Sequence, residues 1–376
     1  MALYAAITLI LITVYSISIF ILAYGLAKLK RATNPNPKKA VPVSIVIPVR
    51  NEDPVISGLL KDLAEQTYPG EMFEVVFVND HSNDDSCAVI ESFIEGRTGF
   101  SLIHLSPGEH GKKVALSQGI TSAAYEWIIQ IDADCRIGAN FITAHMAFLE
   151  ANPSDFVAGL VTTGKGGGGF LESFERLDLL SLAGVGAGSF YYGRPMMCSG
   201  ANLAYSRDLY RETRPFDPTE RIASGDDMFL MIGARKLGKK LSFNPAREAM
   251  VETRPVQNLR SFIKQRIRWG TKSLHYKMPD IQLLAILVTI TNLVILSLPI
   301  WIFGFPELWP WALSIWGLKT FADFLILVRV TKYTAQRRAL YPFILMSLAY
   351  FLYFPAIIIG SLFKQPGWKE TEPASR

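Results

Sequence analysis

Val43-Ser-Ile-Val-Ile-Pro48 is a short apolar run rich in β-branched residues, and Val49-Arg-Asn-Glu-Asp53 follows it. Strands of a parallel sheet covered on both faces read this way. A helical pattern spans about 55–66. A second apolar run, Phe73-Glu-Val-Val-Phe-Val78, stops at Asn79-Asp80, and a helix is expected around 84–95. A third strand at 100–105 precedes a helix start at Gly111-Lys112-Lys113. A fourth, Trp127-Ile-Ile-Gln-Ile131, runs straight into Asp132-Ala-Asp134. Strand and helix alternate, which predicts an α/β doubly wound sheet. Ligands of such sheets sit beyond the carboxyl ends of the strands, where Asp80, Asp132 and Asp134 fall.

Outward from this region the composition changes. Half of the 376 residues are hydrophobic and 19% are charged. Four apolar stretches, 5–24, 281–303, 309–330 and 340–363, account for the excess. Each approaches the ~20 residues that cross a ~30 Å hydrocarbon core. The bland alternative, buried helices of a large soluble core, fits poorly with such long runs of few polar residues. The first stretch has no Lys or Arg before it, whereas a cleaved signal peptide carries positive charge first, so an uncleaved anchor is expected. Lys28, Lys30, Arg31, Lys38 and Lys39 follow that stretch, and Arg329, Lys332, Arg337 and Arg338 follow the third. By the positive-inside rule, the region up to about 280 is then cytoplasmic and both termini lie outside an integral inner or plasma membrane protein. Lys319 and Asp323, four apart in the third stretch, are placed to pair on one helix face.

The net charge of +5 sits mostly at these membrane flanks and is not a nucleic-acid signal. Cys87, Cys135 and Cys198 are too scattered for a metal motif. The expected organisation is a membrane helix at 1–28, a linker at 29–40, a catalytic domain at 41–258, an amphipathic interface helix at 259–280, three membrane helices at 281–363 and a tail at 364–376. Two features are less regular. Gly164–Gly169 reads as a flexible turn or lid, and Leu177–Phe190 as a small-residue stretch lining an acceptor pocket or touching the membrane surface.

Several residues point to chemistry. Asp132 and Asp134 offer hard oxygen ligands for Mg²⁺ or Mn²⁺, although an Asp-x-Asp triplet also arises in ordinary turns. Asp80 can accept an imino N–H from a base, or simply cap a turn, with Ser82 or Asn83 capping the helix that follows. Asp226 and Asp227, after Ser224-Gly225, stand at a helix start, where the dipole favours the ionised form. An ionised Asp there can take a proton from an attacking hydroxyl, or merely cap the helix. Gln265, Arg268 and Trp269 share one face of an amphipathic helix, suited to gripping a diphosphate and stacking a sugar, or to snorkelling at an interface.

The order of these motifs, rather than any one, resembles glycosyltransferase family 2. The likeness covers roughly 41–275 and is nearest to the membrane branch with hyaluronan, chitin and cellulose synthases and ceramide glucosyltransferase. It implies a GT-A fold, an inverting single displacement and a nucleotide-sugar donor. By that resemblance Pro48, Asn51 and Glu52 open the nucleotide site, Asp80 reads the base, and Gly111 and Lys112 match the family's Gly-Lys. Asp132 and Asp134 match the metal-binding Asp-x-Asp, Asp134 being the more direct ligand. Gly200, Ala201 and Asn202 resemble the acceptor loop, Asp227 the base, and Gln265, Arg268 and Trp269 the gating helix. Three positions depart from the family: Asp226 replaces a Glu, Phe229 replaces an Asp seen in many members, and Asn79-Asp80 replaces Asp-Asp, so uridine is favoured. The expected activity is transfer of a hexose or N-acetylhexosamine to a lipid or saccharide acceptor, or processive polysaccharide synthesis by the same machinery. A membrane nucleotidyltransferase would need a Gly- and Arg-rich loop after the first strand, which 49–53 does not supply. A transporter or scaffold would need more than four helices with one internal ion pair.

Overall fold

The computed structural model describes residues 2–30, 37–164, 168–216, 225–273 and 275–363. The Arg31 charge, half of the linker, the middle of the Gly164–Gly169 turn, Ser224 and the tail fall outside them. The chain divides into two compact units. One, the α/β unit, draws on 29–164 and 193–254; the other, the helical unit, on 1–28, 165–192 and 255–366.

The helical unit holds α1 (Ala2–Lys28), α6 (Phe170–Tyr191), α9 (Leu259–Ser273), α10 (Pro279–Gly304), α11 (Trp309–Thr334) and α12 (Phe343–Phe363). Among the described residues, four helices are long and apolar enough to cross a membrane: α1, α10, α11 with its preceding turn, and α12. Lys319 and Asp323 pair at 2.6 Å, as their spacing predicts, and Tyr15 donates to the same carboxylate at 2.6 Å. The small-residue stretch 177–190 is helical. It lies within α6, where Gly188 meets the α1 backbone and Gly184 meets Ile326 and Val330 of α11. A Cβ on Gly188 would stand 2.1 Å from the Leu22 carbonyl oxygen, so only glycine permits this approach.

The α/β unit is built on a seven-stranded sheet. Its strands are β1 (Val43–Val49), β2 (Phe73–Asn79), β3 (Phe100–His104), β4 (Trp127–Gln130), β6 (Phe156–Gly159), β8 (Leu203–Ser206) and β9 (Leu241–Asn244), in the order β3-β2-β1-β4-β8-β6-β9. Strands β1 to β4 are parallel and only β8 runs against its neighbours. All seven residues of β1 are buried, which is why it reads as an unbroken apolar run rather than an alternating one. A second sheet, β5-β10-β7, joins β5 (Cys135–Ile137), β10 (Val251–Thr253) and β7 (Val161–Thr163). Helices α2 (Asp53–Ala64), α3 (Ser86–Ile94), α4 (Lys112–Ser122), α5 (Phe141–Ala151), α7 (Arg207–Thr213) and α8 (Asp226–Lys236) complete the unit. The core gathers Ile45, Ile47, Phe77, Ile129, Phe141 and Val157 between sheet and helices.

One detail opens the sheet edge. Pro48 lies in a central strand, where a missing N–H would normally break the ladder. The β1–β4 pairing, however, ends at Val46↔Gln130, and the Val46 carbonyl accepts the last bond there, from Ile131 N at 3.4 Å. Backbone direction repeats every second residue. The Pro48 nitrogen therefore faces the flank that β4 has already left, and no ladder bond is lost.

Candidate active site

Because β1, β2 and β4 are parallel, their carboxyl ends share one edge. Because β8 is antiparallel, with Gln130 opposite Leu203, its entry loop 200–202 arrives at the same edge. The fold thus gathers segments that are far apart in sequence.

Asp80, just past β2, is buried. Its Oδ2 accepts from Arg50 Nη1 at 3.1 Å and from Gly111 N at 2.9 Å, while Oδ1 has no hydrogen-bond partner. Asn51 and Glu52 hold this edge rather than offering free side chains. Asn51 N donates to Ser82 Oγ at 3.1 Å and its Oδ1 accepts from Asn83 N at 2.9 Å. The Glu52 carbonyl starts α2, accepting from Val55 and Ile56 N, both at 2.9 Å. Neither Ser82 nor Asn83 is the cap of α3: Asp85 stands there without a side-chain bond, and Asp84 Oδ1, one residue earlier, accepts from Ser86 N at 3.1 Å.

Gly111, at φ +106°, turns the chain into α4 and delivers Lys112 to the edge. Lys112 Nζ sits 2.5 Å from Asp132 Oδ1. Burial alone would depress this ammonium, but Asp132, Asp226 and Asp227 outweigh it and lift its pKa above the ordinary lysine range. Lys112 is therefore a fixed cation among three carboxylates.

Gly225, at φ +103°, makes the corresponding turn into α8 and places Asp226 and Asp227 in its first turn. Asp227 Oδ2 accepts from Gly200 N at 2.9 Å and Oδ1 from Met228 N at 2.8 Å. Asp226 Oδ2 accepts from Gln130 Nε2 at 3.1 Å, the same amide reaches the Gly200 carbonyl at 2.9 Å, and Tyr205 donates to Gln130 Oε1 at 2.9 Å. Burial, then Asp227 and Asp226, push the Cys198 thiol well up, so it remains protonated. An unbroken series of contacts and short-range charges thus runs from Asp80 through Gly111, Lys112 and Asp132 to Asp226, Asp227 and Gly200.

Asp134 points elsewhere than Asp132: its Oδ2 lies 3.5 Å from Thr253 Oγ1, on the second sheet. Asp132 and Asp134 are both partly exposed and offer only carboxylate oxygens, a donor set that fits a hard divalent ion. Asn202 departs from its expected role beside an acceptor. Its side chain is fully buried, donating to the Leu160 and Ala249 carbonyls at 2.9 and 2.8 Å and lying 3.0 Å from His145 Nε2. A buried amide with each group used positions the 200–202 loop from behind. Gln265, Arg268 and Trp269 lie on α9, in the helical unit. There the guanidinium of Arg266 stands 4.2 Å from the Trp269 ring centroid, Arg266 also bonds the Gln265 amide oxygen, and it pairs with Asp178 at 2.6 Å. One face of the Trp269 ring therefore carries a protein cation.

Arg50, Gln130 and Arg266 were not singled out by the sequence patterns. A signal existed for two of them: Arg50 directly follows the first strand, and Gln130 is the polar member of an apolar strand, a position that demands buried partners.

A mixed sheet in this strand order, with carboxylates and a lysine at the carboxyl ends of its parallel strands, resembles the GT-A class of fold. Residues 44–214 match the model of glycosyl transferase family 2, and the chain carries a domain of that family. Among curated relatives, it is 26% identical over 239 residues to an N-acetylglucosaminyltransferase of Rhizobium meliloti, covering 61% of this chain and 54% of that one. It is 27% identical over 204 residues to a poly(ribitol-phosphate) beta-glucosyltransferase of Bacillus spizizenii, covering 53% of this chain and 30% of that one. The chain thus spans about half or less of the length of these relatives. Among solved structures, a mannosyltransferase from Pyrobaculum calidifontis in complex with GDP-Man and Mn²⁺ shares the fold. Its TM-score is 0.59 at 18% identity, with 96% of this chain and 99% of that chain covered.

Proposed function

We propose that this protein is an inverting, metal-dependent glycosyltransferase. It moves a hexose or N-acetylhexosamine from a nucleotide sugar, with uridine the favoured base, to a lipid or saccharide acceptor at a membrane. The observation that carries this reading is the continuous line of groups from Asp80 to Asp227 on one sheet edge. Asp80 Oδ1, buried and unpartnered, is an acceptor waiting for a base imino N–H. Lys112, charged throughout the neutral range, offsets phosphate charge beside it. Asp134 with Asp132 would hold Mg²⁺ or Mn²⁺, which neutralises charge building on a departing diphosphate.

Asp227 is the general base. Gly200 N and Met228 N fix the orientation of its two oxygens, and a carboxylate so held can take a proton from an attacking hydroxyl. The α8 N-terminus keeps it ionised. The deprotonated acceptor then attacks the anomeric carbon as the bond to the diphosphate breaks, inverting that carbon. Asp226, held by Gln130, fixes the start of the helix.

The charge pattern around the apolar helices supports a catalytic unit on the cytoplasmic side, with both termini outside. Processive synthesis is the competing outcome, carried by the similarity of the motif order to polysaccharide synthases. The test is turnover by the full chain in lipid nanodiscs with Mn²⁺ and labelled nucleotide sugars, with products weighed. One added sugar supports single transfer, a ladder supports polymerisation, and no nucleoside diphosphate release from any donor sinks the proposal.

A further inference from the structure

The edge that carries Asp80 holds a second set of ligands. Asp80 Oδ2 is engaged by Arg50 and Gly111, but the buried Oδ1 is unpartnered. It faces His110 Nδ1 at 3.6 Å, beyond hydrogen-bond range. His81 packs tilted against His110 with ring centroids 4.5 Å apart. His81 Nε2 lies 3.0 Å from the Glu109 carbonyl oxygen. A carbonyl only accepts, so this contact needs Nε2–H and leaves the lone pair on Nδ1. One ligand atom from each of Asp80, His81 and His110 lies within 4.8 Å of the other two.

We propose that Asp80, His81 and His110 bind a divalent ion of borderline softness, Zn²⁺ foremost, at a site separate from Asp132 and Asp134, and that this ion excludes the donor nucleotide. Ligands at ~2.0–2.2 Å in tetrahedral array stand roughly 3.3–3.6 Å apart, so the group need close by at most about 1 Å. His110 Nδ1 and the buried Asp80 Oδ1 already stand 3.6 Å apart, so the closing movement falls to the His81 ring. Two imidazoles select Zn²⁺ over Mg²⁺ or Mn²⁺. The Glu109 carbonyl is the outer partner that sets the His81 tautomer, an arrangement usual around zinc. Exclusion of the nucleotide rests on the reading of Asp80 as the base acceptor. A cation on Oδ1 removes that acceptor and repels the N–H dipole that would approach it.

The experiment uses the full chain in detergent, free of any polyhistidine tag. Zn²⁺ binding is measured by calorimetry and Co²⁺ binding by its visible absorption, for wild type and for the double variant His81→Asn, His110→Gln. Asn is chosen at 81 because that residue sits at φ +51°, which Asn tolerates. One ion per chain is expected for wild type, weakened about a hundredfold in the double variant. Equal Zn²⁺ affinity in both proteins, or none in wild type, overturns the site. UDP affinity is then measured with and without Zn²⁺. A Zn²⁺-induced loss in wild type but not in the double variant supports exclusion, and no loss in wild type overturns it. UDP binding without Zn²⁺ separately tests the base-reading role, so a failure there is distinguishable from failure of the metal site.

Discussion

Replacing Asp227 by Asn separates its structural role from its chemical one. In the fold its carboxylate accepts two backbone N–H groups, from Gly200 at 2.9 Å and Met228 at 2.8 Å. An Asn amide has one oxygen, so one of those N–H groups would face an NH₂ instead. Losing a hydrogen bond to a charged group costs about 1.5–3 kcal/mol. Losing the negative charge at the α8 N-terminus costs about 0.3–1 kcal/mol more. Relief of like charge from the adjacent Asp226 offsets part of this, leaving a loss of roughly 2–3 kcal/mol within a total stability of about 5–15 kcal/mol. The variant should therefore fold, with a melting midpoint lower by roughly 2–4 °C. Removing a general base should slow turnover by about 10²–10⁴. The assay is nucleoside diphosphate release at a temperature well below both midpoints, with donor affinity measured alongside. Affinity should stay within about twofold, because the base is engaged at Asp80 rather than Asp227. Turnover within about threefold of wild type in the folded variant would refute the base assignment.

Three further outcomes follow from individual contacts. Asp80→Asn should weaken nucleotide binding by about 10–100-fold, since a charge-assisted acceptor is lost and Arg50 is left without its carboxylate; unchanged UDP affinity would contradict the role of Asp80. Burial lowers the His145 pKa from 6.5 to about 4, against the opposing bond to Asn202. Between those values the unfolded chain takes up a proton that the fold refuses, so stability is full above pH 6.5 and falls by about 3 kcal/mol as pH drops to 4, a slope that His145→Gln should flatten in thermal melts. Asp178→Asn should strand the buried Arg266 cation, destabilise the protein by about 3–5 kcal/mol and lower its melting point in detergent, whereas an unchanged melt would show that the pair contributes nothing.

The strands that carry the site were legible because burial on both faces leaves a simple trace. β1 and β2 appear in the sequence as runs of Val, Ile and Phe, and the acidic residues stand where those runs stop. The membrane-length helices were legible for a similar reason, having few polar residues over twenty or more positions. The second sheet was not, because strands of three residues such as Val161–Thr163 are too short to show a period. Helix α6 escaped for another reason: its small residues show no helical stripe, and only close contacts of Gly188 with α1 and of Gly184 with α11 explain them. Roles within the site divided along the same line. The placing of Asp80, Lys112 and Asp227 along one edge was readable from position and neighbours, whereas the burial of Asn202 depends on Leu160 and Ala249, tens of residues away, and that of Arg266 on Asp178.

The most direct test of the account is hydrogen exchange of the full chain, followed by mass spectrometry, with and without UDP and Mn²⁺. The account predicts that 49–53, 79–83, 109–113 and 131–135 slow together on adding nucleotide, because they form one edge around it. Protection confined to a single one of these segments, or found only outside them, would contradict it.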